Sequence, residues 1–179
     1  MAKNVFETNR KKLFERMDDN SAAVIFAGEA PYKRGDEKYP FSPDRNFYYV
    51  TGIARENMIL LMKKTDGTED AELYIPRDNG IMAKWIGANM TPEEATEVSG
   101  IADISFVDAF ETDFADFLFR NNIKHVYLDM ENRDWNADFY PALKFAGTLQ
   151  RKYPAMTLTD LYPILATFVS SRMNGSWNA

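Results

Sequence analysis

Apolar residues near the start of the chain recur at helical spacing. Phe6, Leu13, Phe14 and Met17 fall on one stripe, which predicts a helix over about Asn4 to Met17, ended by Asp18-Asp19-Asn20. The pattern then changes. Ala22 to Ala27 is an unbroken apolar run closed by Gly28, the signature of a short buried strand. Glu29 to Asp44, with its prolines and charges, predicts a long functional or partner-facing loop. Asn46 to Thr51 is aromatic and β-branched and reads as a strand, with Phe47 and Tyr49 on one face and Tyr48 on the other. Gly52 closes it. Met58 to Lys63 and Ala71 to Ile75 are two more strands joined through Asp66-Gly67, completing an antiparallel meander.

The second half alternates. Thr91-Pro92-Glu93-Glu94 combines a cap, a proline at the first helical position and a capping box, and Gly100 ends the helix it starts. Ile104 to Val107 reads as a strand. Phe110, Phe114, Phe117 and Leu118 mark an amphipathic helix. Lys124 to Met130 is another strand, and Phe139, Leu143, Ala146 and Leu149 mark a further helix. Leu158 to Leu161 is a weak strand, and Tyr162 to Val169 starts a last helix. A meander followed by alternating strands and helices predicts an α/β fold: a mixed sheet of six strands or a similar number, flanked by helices. Residues 174–179 show no pattern and read as a disordered end or a remnant of cloning.

Composition narrows the function classes. A length of 179 residues suits one domain, and 45% hydrophobic residues support a core without cross-links. Cysteine is absent, which removes disulfides, thiol catalysis and thiolate metal sites. The net charge is −6, and no basic face suggests nucleic acid. Arg10, Lys11, Lys12 and Arg16 are helix-spaced and read as a solvated helix face. No apolar run is long enough to span a bilayer, and the charged start is unlike a signal peptide, so no membrane partner and a cytoplasmic address are expected.

The residues that could carry chemistry are few. The one histidine, His125, cannot supply a His-rich zinc site, and a structural or surface role is expected for it. Asp129, Glu131 and Asp134 cluster near a strand end and could bind a hard metal, but a charged, solvated loop is the simpler reading. No nucleophile elbow and no phosphate-binding glycine loop is present. Trp85, in Trp85-Ile86-Gly87 after the Arg77-Asp78 turn, reads as a core residue or a contact residue. No catalytic residue and no metal ligand emerges.

An ordered series of short elements resembles the N-terminal domain of the aminopeptidase P and prolidase family. It runs from Asn9-Arg10-Lys11-Lys12-Leu13 through Ala23 to Gly28. It continues with Tyr39-Pro40-Phe41, Asn46-Phe47-Tyr48-Tyr49-Val50-Thr51-Gly52 and Met58 to Leu61, then Arg77-Asp78 and Trp85-Ile86-Gly87. Two positions depart. The family often has Glu-Pro after the Thr-Gly turn, where Glu56-Asn57 stands here, and often arginine after Trp-x-Gly, where Ala88 and Asn89 stand.

The resemblance implies a ribonuclease H-like sheet over residues 1–172, with 173–179 a linker start or tail. It implies a "pita-bread" catalytic domain beyond this chain, holding two manganese ions and removing an N-terminal residue that precedes proline. The implied role of this part is non-catalytic. It would contact its own catalytic domain and neighbouring subunits in a homodimer or larger assembly, and help shape the site for a proline-containing peptide. Trp85 matches a tryptophan that in some relatives reaches an adjacent subunit's active site, so a substrate or subunit contact is expected of it. Two other readings stand beside this one: a stand-alone peptide-binding module, and the N-terminal domain of a creatinase-like hydrolase.

Overall fold

The computed structural model describes residues 4–131, 135 and 140–175, with backbone alone for residues 169 and 171–175. A mixed six-stranded sheet carries the fold, in the order β6-β5-β4-β1-β7-β8. Its strands are β1 (Ser21–Phe26), β4 (Ile59–Thr65), β5 (Thr68–Ile75), β6 (Asp103–Phe106), β7 (His125–Leu128) and β8 (Thr157–Asp160). β1–β4 and β4–β5 pair antiparallel; β1–β7, β5–β6 and β7–β8 pair parallel. Asp66 and Gly67 both adopt positive φ, the geometry of the tight turn that matches strand twist, and they fold β4 onto β5.

Helices cover both faces. On one lie α1 (Val5–Phe14), α2 (Arg45–Thr51), α4 (Pro92–Ser99) and α7 (Tyr162–Gly175); on the other lie α5 (Phe110–Arg120) and α6 (Pro141–Lys152). β1 shows why its sequence is continuously apolar. Ala23 and Ile25 face the core with Leu13, Phe47 and Leu165, while Ala22 and Val24 face the core with Phe110, Phe114 and Leu149. A strand buried on both sides has no polar face to alternate with. The α4 start is as its residues predict, with the Thr91–Glu94 capping box formed, Pro92 in the first turn and Gly100 left-handed at the end.

Several expectations are corrected. Residues 46–51 are helical, not a strand. The Asp44 carboxylate accepts from the Asn46 and Phe47 N–H groups, and Gly52 (φ 73°) closes α2 in the left-handed region. Aromatic and β-branched residues lower helix propensity by only about 0.5 kcal/mol each, so two good caps and burial against α1 and β1 prevail. β1 therefore takes the place assigned to 46–51 in the antiparallel meander. The loop 29–44 is not structureless: β2 (Tyr32–Arg34) and β3 (Glu37–Lys38) form a small exposed hairpin.

Arg10 is not on a solvated face. It is 4% exposed and donates to the Val50 and Ser99 carbonyls at 2.8 and 2.9 Å, joining α1 to the ends of α2 and α4. Burial lowers its pKa to about 10. Asn57 adopts φ 61° and donates its N–H to the Gly28 carbonyl at 2.9 Å. Proline can do neither, which accounts for asparagine after Glu56. α7 runs on through Asn174 and Gly175, past the patternless tail expected from residue 174; Asp134, Phe139 and residues 176–179 lie outside the described residues.

Candidate functional site at the carboxyl edge of the sheet

Five of the six strands run the same way; β4 alone opposes them. The carboxyl ends of β1, β5, β6, β7 and β8 therefore share one edge, where open α/β sheets gather their ligands. β1 leads there into the β2–β3 hairpin, β5 into residues 76–90, and β7 into Asp129.

The segment after β5 is an exposed arm. A 3₁₀ turn (Gly80–Met82) runs into α3 (Ala83–Ile86), and neither contains a buried residue. Two asparagines tie its base. Asn79 Nδ2 donates to the Gly87 carbonyl (2.8 Å), Asn89 N–H donates to Asn79 Oδ1 (3.2 Å), and Asn89 Nδ2 donates to the Arg77 carbonyl (2.7 Å). Arg77 anchors the arm to the body through Asp108 (Nε–Oδ2 2.6 Å), and its guanidinium lies over the Phe106 ring. That hydrogen bond holds the exposed Asp108 carboxyl below its ordinary pKa.

The arm presents apolar side chains to the outside. Trp85 is 81% exposed, and Ile81, Met82 and Ile86 are exposed with it. Trp85 is therefore in neither core. The cluster stands outside both cores, on a frame tied by side-chain hydrogen bonds.

The second feature of this edge is polar. Asp129 follows β7 and is 8% exposed; Asn46, in the first turn of α2, is 1% exposed. Asn46 Nδ2 donates to Asp129 Oδ2 at 2.7 Å. Burial raises the Asp129 pKa to about 6, helped by the charges of Asp44 and Asp160 and opposed by the hydrogen bonds from Asn46 and the Glu131 backbone. Burial also raises Asp44 and the Tyr140 phenol. Tyr140 O–H donates to the Glu131 carbonyl. Asp160 accepts from the Met130 and Tyr162 N–H groups. Asp129 thus departs from the solvated loop its sequence suggested, because α2 closes over the strand end.

Among the described residues no group of three or more His, Cys, Asp or Glu side chains is placed to hold a metal ion. His125 sits at the other end of β7, with Nε2 2.7 Å from Thr159 Oγ1 and its ring against Tyr127. The Asn46–Asp129 pair escaped the sequence reading because its members are 83 residues apart. Ile81, Met82 and Ile86 escaped it because the arm is too short to show a period.

Comparison with known proteins bears on the same regions. Residues 6–127 match the family described as aminopeptidase P, N-terminal domain. The chain belongs to this family. A Haemophilus influenzae Xaa-Pro aminopeptidase is 27% identical over 135 residues, covering 75% of this chain and 31% of the relative. A Bacillus anthracis structure assigned as an aminopeptidase P superposes with TM-score 0.89 at 37% identity, covering 94% of this chain and 40% of that one. The Escherichia coli aminopeptidase P superposes with TM-score 0.76 at 22% identity, covering 92% and 38%, which supports the fold. The chain spans less than half the length of these relatives. The mixed sheet with flanking helices is therefore the aminopeptidase P N-terminal fold, with the arm and the Asn46–Asp129 pair on its carboxyl edge. No helix among the described residues is long and apolar enough to cross a membrane.

Proposed function

We propose that this chain is the non-catalytic part of a cytoplasmic Xaa-Pro aminopeptidase, and that its Trp85 arm forms a wall of an active site completed by a catalytic domain or a neighbouring subunit in a homodimer or larger assembly. The observation that carries this reading is the exposed cluster of Ile81, Met82, Trp85 and Ile86 on a hydrogen-bonded frame. Indole offers a broad apolar face and one N–H donor, which suits a proline ring and the peptide bond beside it. Two manganese ions in the catalytic domain would supply the activated water. The residues described here do not fit such a centre, because no three of their candidate ligands converge. The role of this chain is to bind, orient and exclude water.

The test uses the full-length enzyme. Trp85→Ala should lower kcat/KM on an Xaa-Pro peptide roughly thirtyfold, the loss of about 2 kcal/mol expected when an aromatic anchor is truncated. Unchanged turnover with unchanged assembly would overturn the proposal. The 179-residue chain alone, given manganese and the same peptide, should show no cleavage above buffer; metal-dependent cleavage that survives repurification would overturn its non-catalytic role.

A further inference from the structure

Among the described residues, two buried side-chain atoms at the carboxyl edge have no hydrogen-bond partner: Asn46 Oδ1 and Asp129 Oδ1. Both are acceptors, and they belong to the two residues already joined through Asn46 Nδ2 and Asp129 Oδ2. Buried polar groups in folded proteins are almost always paired, and an orphan costs about 1–3 kcal/mol. Two orphans on a bonded pair require one explanation.

Both atoms are shielded from solvent. The described carboxylates do not converge as metal ligands. A proton needs no room. Placed on Asp129 Oδ1, it makes the carboxyl a donor, and an acid and a carboxamide already joined by one hydrogen bond can close a second. The result is a closed ring of two hydrogen bonds, carboxamide to acid and acid to carboxamide, with no orphan left. We propose that Asp129 and Asn46 form a proton-dependent latch, closed as an acid–carboxamide pair, that fastens the first turn of α2 to the end of β7.

The surroundings favour the proton. Facing the pair are Asp44, just before α2, Glu131 after β7, Asp160 at the end of β8 and the Tyr140 phenol at the start of α6, with Arg45 the neighbouring cation. Ionised Asp129 adds another negative charge to this corner and leaves both buried acceptors without a donor.

The folded-state pKa of Asp129 is raised, to about 6, above the ordinary aspartate value of about 3.9. The latch therefore contributes its full stability below about pH 4 and loses it as pH rises through about 6. At neutral pH the ring is open, and α2, which carries Phe47 and Tyr49, keeps its caps, its packing and the single bond from Asn46 Nδ2 to Asp129 Oδ2.

Asp129→Asn supplies a neutral partner that can close the same ring at every pH. Urea unfolding of the 179-residue chain and of this variant, from pH 4 to 8, tests the latch. The two should be about equally stable near pH 4. The variant should gain at pH 7.5, by up to about a hundredfold in the folding equilibrium for a shift of about two pKa units. The carbon-13 signal of the Asp129 carboxyl should titrate near 6. Titration at or below 4, or a variant less stable than the parent at pH 7.5, would overturn the proposal. A third arm repeats the pH 7.5 measurement with calcium, magnesium or manganese. Stabilisation of the parent but not of Asp129→Asn would make the corner a cation site and overturn the latch.

Discussion

Two short segments of the chain carry clusters of large apolar side chains, and the fold treats them in opposite ways. In α2, Phe47 and Tyr49 are buried at 0% and 7% exposure, beneath α1 and against the sheet. In the arm, Trp85 and Ile81 are both 81% exposed. Both segments are short, and both end at a glycine with positive φ. The difference lies in where the chain leaves the sheet. α2 lies across the face of β1, where its side chains complete a core. The arm projects from the end of β5, beyond the last strand residue, where the body has no face to receive it. The lesson is that aromatic residues of one motif series can build a core in one place and stand outside it in another, and burial separates the two.

The comparison can be broken at its buried side first. Phe47→Ala should destabilise the chain by about 3–5 kcal/mol, the usual cost of emptying a fully buried aromatic site. A loss under about 1 kcal/mol in chemical denaturation would mean that α2 is not a core element. Asn57→Pro attacks the junction between the end of β1 and the start of β4. It removes the N–H bonded to Gly28 and demands a φ that this position does not have. About 3 kcal/mol is expected, whereas Asn57→Gly should be nearly neutral in the same assay.

Gly52→Ala probes the α2 cap. A Cβ there would overlap the Phe6 ring, at φ 73°. Strain and the displaced ring should cost about 1–3 kcal/mol, visible as a lower midpoint in thermal unfolding. The smallest effect belongs to the arm. Trp85→Ala should change the stability of the chain by less than about 0.5 kcal/mol. A loss comparable to that of Phe47→Ala would erase the contrast between the two segments.

Legibility followed the range of the interactions. The helices from Pro92 and Phe110, the strand 22–27 and the Asp66-Gly67 turn were readable because caps, periodicity and turn residues act within a few positions. α2 was misread because its caps lie just outside the aromatic run, and the run itself favours a strand. Arg10 was misread because its carbonyl partners lie 40 and 89 residues away. The arm was half legible: Trp85 stood out as a candidate, while its exposure and its apolar companions depended on how β5 ends.

The sequence by itself determined the class of the fold, the absence of cysteine chemistry and the membership of residues 6–127 in an aminopeptidase P domain. These rest on composition, local patterning and an ordered series of motifs, all written along the chain. Only the tertiary structure decided that five parallel strands bring the arm and the Asn46–Asp129 pair to one edge, about 14 Å apart by the count of intervening strands. It also decided that a carboxylate expected in solvent is enclosed. Burial and the meeting of distant side chains depend on how elements pack. A linear pattern records which faces are apolar, but not which neighbour covers them.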